Sequence, residues 1–155
     1  MYHFIIKARL ILEQNDKILL LAQTSDNGGK FTLPGGTVED KEFAKETLIR
    51  ECKEELGIRL NGRDLALIHV LHKKKGNENR ITLYFSAQDY QGTLHAKETE
   101  KFRGITWASI ERLPTKTSAT VKHVLHKVKM GAGYSEFSKK SSKSTIKNSF
   151  GKSWQ

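Results

Sequence analysis

At 155 residues, with a hydrophobic share of 37%, the chain has the length of one domain with a real core. A single cysteine excludes an internal disulfide, and no run approaches the ~20 apolar residues of a membrane span, so a reducing, cytoplasmic setting is expected. The net charge of +10 suits a polyanionic partner: nucleotide phosphates and nucleic acid both fit it, as does plain solubility.

Phe4 to Leu12 and Lys17 to Ala22 are β-rich runs, and Gln14-Asn15-Asp16 between them reads as a hairpin turn. The opening MYHFIIKARLIL carries no signal-peptide cleavage pattern. Thr24 to Lys30 is a loop rich in turn formers, and Phe31 to Leu33 is a short strand leading into Pro34-Gly35-Gly36. A helix is predicted from about Asp40 to Leu56, with Gly57 as its stop. Leu65 to Leu71 and Ile81 to Ala87 read as strands joined by a polar, basic loop over Lys73 to Asn79. Gln88 to Lys101 is loop, Gly104 to Trp107 a strand, and Ser109 to Leu113 a short turn. Thr117 to Met130 is a second helix, with Val121, Val124, Leu125 and Val128 at helical spacing and Gly131 after it. This order predicts an α/β fold with a mixed sheet between helices. The tail from Tyr134 is Ser/Lys-rich, and its composition favours an extended arm. The chain is therefore divided into a domain over 1–133 and a basic tail over 134–155, with Tyr134 and Phe137 as anchors of the tail's start.

The first helix carries the chemistry. Ala44, Leu48, Cys52 and Leu56 recur every fourth position, which makes a core-facing stripe. Glu51, Glu54 and Glu55 share one side beside that stripe. Carboxylates crowded on one face repel one another unless a positive group sits between them, and hard divalent cations take such oxygen ligands. Arg50 is four residues from Glu46 and from Glu54, within pairing reach of both.

The stretch Gly36 to Ile58, GTVEDKEFAKETLIRECKEELGI, resembles the Nudix box. Gly36, Glu42, Arg50-Glu51, Glu54-Glu55, Gly57 and Ile58 stand at the box positions, and the lead-in FTLPGG is also similar to the family. One departure is Cys52, where the pattern wants a larger aliphatic residue; a small buried hydrophobe there leaves the chemistry intact. The resemblance covers residues 3 to 131 and implies the Nudix α/β/α sandwich. It also implies a hydrolase, MutT-like, that uses water to split the pyrophosphate link of a nucleoside diphosphate derivative. Mg²⁺ is the implied ion, with Mn²⁺ as the alternative. Glu51, Glu54, Glu55 and the Gly36 carbonyl are its implied ligands. Glu51 or Glu54 is the implied base, and Arg50 and Glu42 pair to orient the glutamates. Gly35 lets the chain turn beside the substrate.

Beyond the box, Glu98 or Glu100 is expected to add a carboxylate from a distant loop. The Asn-x-Glu-Pro-x-Lys pattern of some relatives reads Ala96-Lys97-Glu98-Thr99-Glu100-Lys101 here, without its asparagine and proline. Lys73, Lys74, Lys75 and Arg80 either meet phosphates or are solvated; Lys73 and Arg80 are taken forward as substrate contacts. His69 and His72 read as packing or surface residues and His123 and His126 as solvated, while Trp107 and Phe85 read as core. The proline of some ADP-ribose hydrolases is replaced by His72-Lys73, and the marker tyrosine of dinucleoside polyphosphate hydrolases is absent. Nucleoside triphosphates, including oxidised ones such as 8-oxo-dGTP, therefore rank first as substrate, with ADP-ribose and nucleotide sugars next. A non-catalytic Nudix-fold module that binds nucleotide, or RNA through the basic tail, is the rival. No membrane partner is expected, and the sequence leaves the oligomeric state open.

Overall fold

The computed structural model describes residues 3–139. Its strands and helices run in chain order as β1 (His3–Ile11), β2 (Glu13–Gln14), β3 (Lys17–Gln23), β4 (Phe31–Thr32), β5 (Gly35–Thr37), α1 (Ala44–Leu56), β6 (Leu65–Lys75), β7 (Glu78–Ala87), β8 (Phe102–Ala108), α2 (Ala119–Lys129) and β9 (Tyr134–Ser138). The main sheet has the order β5-β1-β7-β6-β9, with β1–β7 and β6–β9 parallel and the other pairs antiparallel. A smaller sheet pairs β3 with β2, β4 and β8.

Two apolar clusters place the helices. Leu48, Cys52 and Leu56 of α1 pack with Ala8, Leu10, Leu19, Leu21 and Phe85. Val121, Val124 and Leu125 of α2 pack with Ile18, Leu20, Leu71 and Tyr84. Alternate residues of β3 enter opposite clusters, which is why its sequence, KILLLAQ, is apolar on both faces. Burying each such side chain contributes about 1.5–3 kcal/mol. The result is a mixed sheet between two helices, as the order of elements implied.

Several boundaries differ from the sequence reading. Asn15 and Asp16 adopt positive φ, 51° and 61°, and close the predicted hairpin. Helix α1 begins at Ala44 rather than near Asp40, because Glu42 is drawn out of the helix to meet Arg50. Strands β6 and β7 continue through Lys73–Lys75 and Glu78–Arg80, so the expected basic loop shrinks to a turn at Gly76-Asn77. The tail boundary at 133 also moves: Tyr134–Ser138 is a strand on β6, and Phe137 joins the α2 cluster. Residues 140–155, most of the expected basic arm, lie outside the described residues.

His69 is fully buried and hydrogen-bonds the Ala132 carbonyl at 2.7 Å and the Ser135 hydroxyl at 2.8 Å. His123 is half-buried rather than solvated, 3.0 Å from the same hydroxyl, and burial lowers its pKa. Among the described residues no helix is long and apolar enough to cross a membrane.

Candidate active site

The site forms where the Pro34-Gly35-Gly36 segment lies between β1 and α1. Gly36 stands opposite Ala8 in the antiparallel β1–β5 pair. A side chain on Gly36 would have its Cβ 2.7 Å from the Glu51 carboxyl carbon, so only glycine lets the carboxylate approach the backbone this closely. The Gly35 amide donates to Glu55 Oε1 at 2.8 Å.

Glu55 is 4% exposed. Burial pushes its carboxyl up to about 8, against the opposing pull of the Gly35 amide and Arg9. Glu98 arrives from the loop before β8. The Lys97 amide donates to the Glu55 carbonyl at 2.9 Å and the His95 amide to the Leu56 carbonyl at 3.2 Å, which ties that loop to the end of α1. Carboxylate oxygens of Glu51, Glu55 and Glu98 consequently lie within 4.8 Å of one another. Lys101 pairs with Glu98 at 3.2 Å, and Glu98 raises the Lys101 pKa.

Arg50 fixes the other side. Its Nε and Nη2 donate to the two Glu42 oxygens at 2.8 and 2.9 Å, and its Nη1 donates to Glu51 Oε1 at 2.8 Å. This fork geometry orients Glu51 through a second carboxylate. Glu54 lies 3.6 Å from Arg50 and is half exposed, outside the carboxylate triad. Glu46, a possible Arg50 partner by spacing, instead accepts from the Phe43 amide at 2.7 Å and caps the helix.

The Arg50 hydrogen bonds hold the Glu42 carboxyl down to about 2, below its ordinary 4.5. A folded pKa below the unfolded one stabilises the protein above the unfolded value, and that contribution is lost as pH falls toward the folded one. Glu42→Gln is therefore expected to lower stability near pH 7 and to matter much less near pH 2.5. Urea unfolding at both pH values checks this. An equal loss at both would assign the effect to packing.

Of the other expected site residues, Glu100 is exposed and stands outside the triad. Lys73 and Arg80 face each other across β6 and β7 and line a separate cavity beside the site. Sequence reasoning passed over Arg9, whose Nη1 donates to the Leu33 and Gly35 carbonyls at 2.9 and 3.3 Å. The signal was present as two cations, Lys7 and Arg9, at strand spacing in an otherwise apolar run. Cys52 is buried, and burial raises its thiol pKa.

Three carboxylates converging at this separation are a donor set suited to a hard divalent cation. Glu51 and Glu55 stand on a helix behind a glycine turn, Glu98 joins them from a loop, and a bidentate Arg50–Glu42 brace holds Glu51 in place. The chain matches the NUDIX domain family over residues 3–128, belongs to that family, and is a Nudix hydrolase.

Among its relatives is a CTP pyrophosphohydrolase from Escherichia coli (strain K12), 33% identical over 104 residues, 65% of this chain and 73% of that one. An ADP-ribose pyrophosphatase from Methanocaldococcus jannaschii is 32% identical over 59% of this chain and 54% of its own length. The crystal structure of a MutT NUDIX hydrolase from Burkholderia pseudomallei shares the fold, with a TM-score of 0.73 and 22% identity over 81% of this chain and 98% of that one.

Proposed function

We propose that this Nudix hydrolase is a Mg²⁺-dependent nucleotide pyrophosphohydrolase acting first on nucleoside triphosphates, oxidised ones such as 8-oxo-dGTP included. Mn²⁺ is the alternative ion. ADP-ribose and nucleotide sugars rank behind the triphosphates. The observation that carries the reading is the convergence of Glu51, Glu55 and Glu98 within 4.8 Å. The relatives named for CTP and ADP-ribose support nucleotides as the substrate class.

In this reading Glu51, Glu55 and Glu98 hold the cation, with the Gly36 carbonyl beside them. When bound, the ion neutralises phosphate charge and activates water for attack on phosphorus. Glu51 or Glu54 takes a proton from the attacking water, and Glu54, at the rim and half exposed, otherwise completes the ligand set. Arg50 and Glu42 keep Glu51 in place. Lys101 sits beside the carboxylates as a counter-charge. Water adds to phosphorus, the phosphoanhydride P–O bond breaks, and a triphosphate cut between its first two phosphates leaves a monophosphate and pyrophosphate.

Phosphate and pyrophosphate release over a nucleotide panel tests the proposal. The panel holds triphosphates, 8-oxo-dGTP, ADP-ribose, nucleotide sugars and capped RNA, each with Mg²⁺ and with EDTA. Turnover that EDTA removes and Mg²⁺ restores is the expected result. Nucleotide bound but never cleaved on any member would sink the enzyme reading for these substrates and leave a binding module.

A further inference from the structure

The face of the main sheet that receives α2 is apolar only in part. Strand alternation on β1 turns Ala8 and Leu10 toward α1, so Lys7 and Arg9 face the other way. Thr82 stands beside Lys7, Tyr84 beside Arg9, and Arg80 opposite Lys73. With Lys30, these side chains bring five cationic groups to one cavity of about 190 Å³, and no carboxylate lines it. Glu78 pairs with Arg80. Among the described residues no ion pair engages Lys7, Arg9, Lys30 or Lys73.

Like charges gathered around a partly desolvated cavity repel, and the repulsion is stronger than it would be in water. The lysines register it. Burial, then Arg9 and Arg80, pushes the Lys7 amine down to about 8, and burial and Arg80 lower that of Lys73. Strand positions facing a helix are normally filled by apolar residues, so this charge is not what packing alone would select. Lys73 Nζ donates to Thr120 Oγ1 at 2.8 Å, in the first turn of α2, which brings a positive helix end to the same cavity.

The cavity adjoins the carboxylate site through one residue. Arg9, on its wall, donates to the Gly35 carbonyl, and the Gly35 amide donates to Glu55. A cationic chamber thus adjoins an acidic one.

We propose that this chamber binds a phosphate group of the substrate that lies outside the diphosphate held at the carboxylates. The substrate class is thereby narrowed to nucleotides with a phosphate beyond the anhydride that is cut: triphosphates, or derivatives with a phosphorylated outer group. An uncharged base or sugar leaves Lys7, Arg9, Lys30 and Lys73 without a counter-charge among the described residues. The substrate half of this inference rests on the pyrophosphohydrolase reading; phosphate binding by the chamber does not.

Two measurements on the full chain test it. The first is binding of inorganic phosphate in EDTA, by calorimetry or ³¹P NMR, to the wild type, to Glu51→Gln and to the Lys7→Met/Lys30→Met double variant. Phosphate is expected to bind the first two alike and the double variant about tenfold or more weakly, the loss of one charge-assisted hydrogen bond or more. Where the double variant does not fold, as judged by thermal unfolding, Lys30→Met alone serves, since Lys30 lies in the loop before β4.

The second measurement compares kcat/KM for CTP with CDP, and for ADP-ribose 2′-phosphate with ADP-ribose. The more phosphorylated member of each pair is expected to win by about tenfold, with that ratio falling toward one in the variant. Absent phosphate binding, or binding that the variant retains, overturns the chamber assignment even where turnover is normal. Phosphate binding with equal rates within each pair overturns the substrate assignment and makes the occupant free phosphate. Phosphate binding that the variant loses, with no nucleotide cleaved, upholds the chamber and defeats the enzyme reading instead.

Discussion

Glu51→Gln is expected to lower kcat by about 10²- to 10⁴-fold on the best substrate of the panel, the range for losing a positioned acid or base. Glu51 is where three constraints meet. Its carboxyl carbon lies against the Gly36 backbone, Arg50 donates to it, and it shares the triad with Glu55 and Glu98. The amide keeps the shape and removes the charge, so stability should change little while metal affinity and turnover fall together. Two further variants sharpen the expectation. Glu98→Gln should cost about 10- to 100-fold in metal affinity or activity, a magnitude typical of groups supporting a metal site. Glu100→Gln, on an exposed side chain two residues away, should stay within about twofold, as surface substitutions away from such features do. Metal affinity by calorimetry and steady-state rates on the same samples decide it. Equal losses for Glu98→Gln and Glu100→Gln would remove the loop carboxylate from the site.

The second large effect is on folding. Gly35 has φ 138°, and a Cβ there would run into the Ala8 carbonyl oxygen and come within 2.8 Å of Arg9 Cα. Both obstacles are backbone of β1, an interior strand held between β5 and β7, and neither can swing aside. Gly35→Ala should therefore destabilise by about 3 kcal/mol or more, strain and a backbone clash acting together. The comparison is Gly76→Ala at the β6–β7 turn. Gly76 has φ 58° with nothing within 4 Å of a Cβ. Conformational strain alone should cost it about 1–2 kcal/mol. Urea midpoints at unchanged m-value give both numbers. If the two variants lose equally, the close approach of Gly35 to β1 contributes nothing beyond its dihedral.

The parts of the site that a sequence can reveal are the local ones. Helix α1 was legible because its stripe, its glutamates and its terminal glycine all act within a few turns. The Arg50–Glu42 pair was legible only through the family resemblance, since Glu42 lies before the helix and reaches Arg50 by leaving it. Glu98 and Glu100 could not be separated from sequence. What separates them is a pair of backbone bonds, Lys97 to Glu55 and His95 to Leu56, between segments far apart in the chain. The polar run Lys73 to Arg80 hid two strand ends, because its pairing is carried by the backbone while its side chains look like a loop. The cationic chamber was hidden for a related reason. Lys7 and Arg9 are ordinary in a strand until the register shows that Lys73 and Arg80 share their face.

Strand β9 has a practical consequence for any shortened version of this protein. A chain ended at 133, where composition places the start of the arm, would lose more than charge. The five residues of β6 that pair with it, Val70 to Lys74, would become a bare edge, a template on which copies can pair and aggregate. Two imidazoles, those of His69 and His123, would lose the one hydroxyl they share. A weakened grip on RNA in such a truncation would then report a damaged fold rather than a missing arm. The cut that isolates the arm comes after Ser138, the last residue of β9.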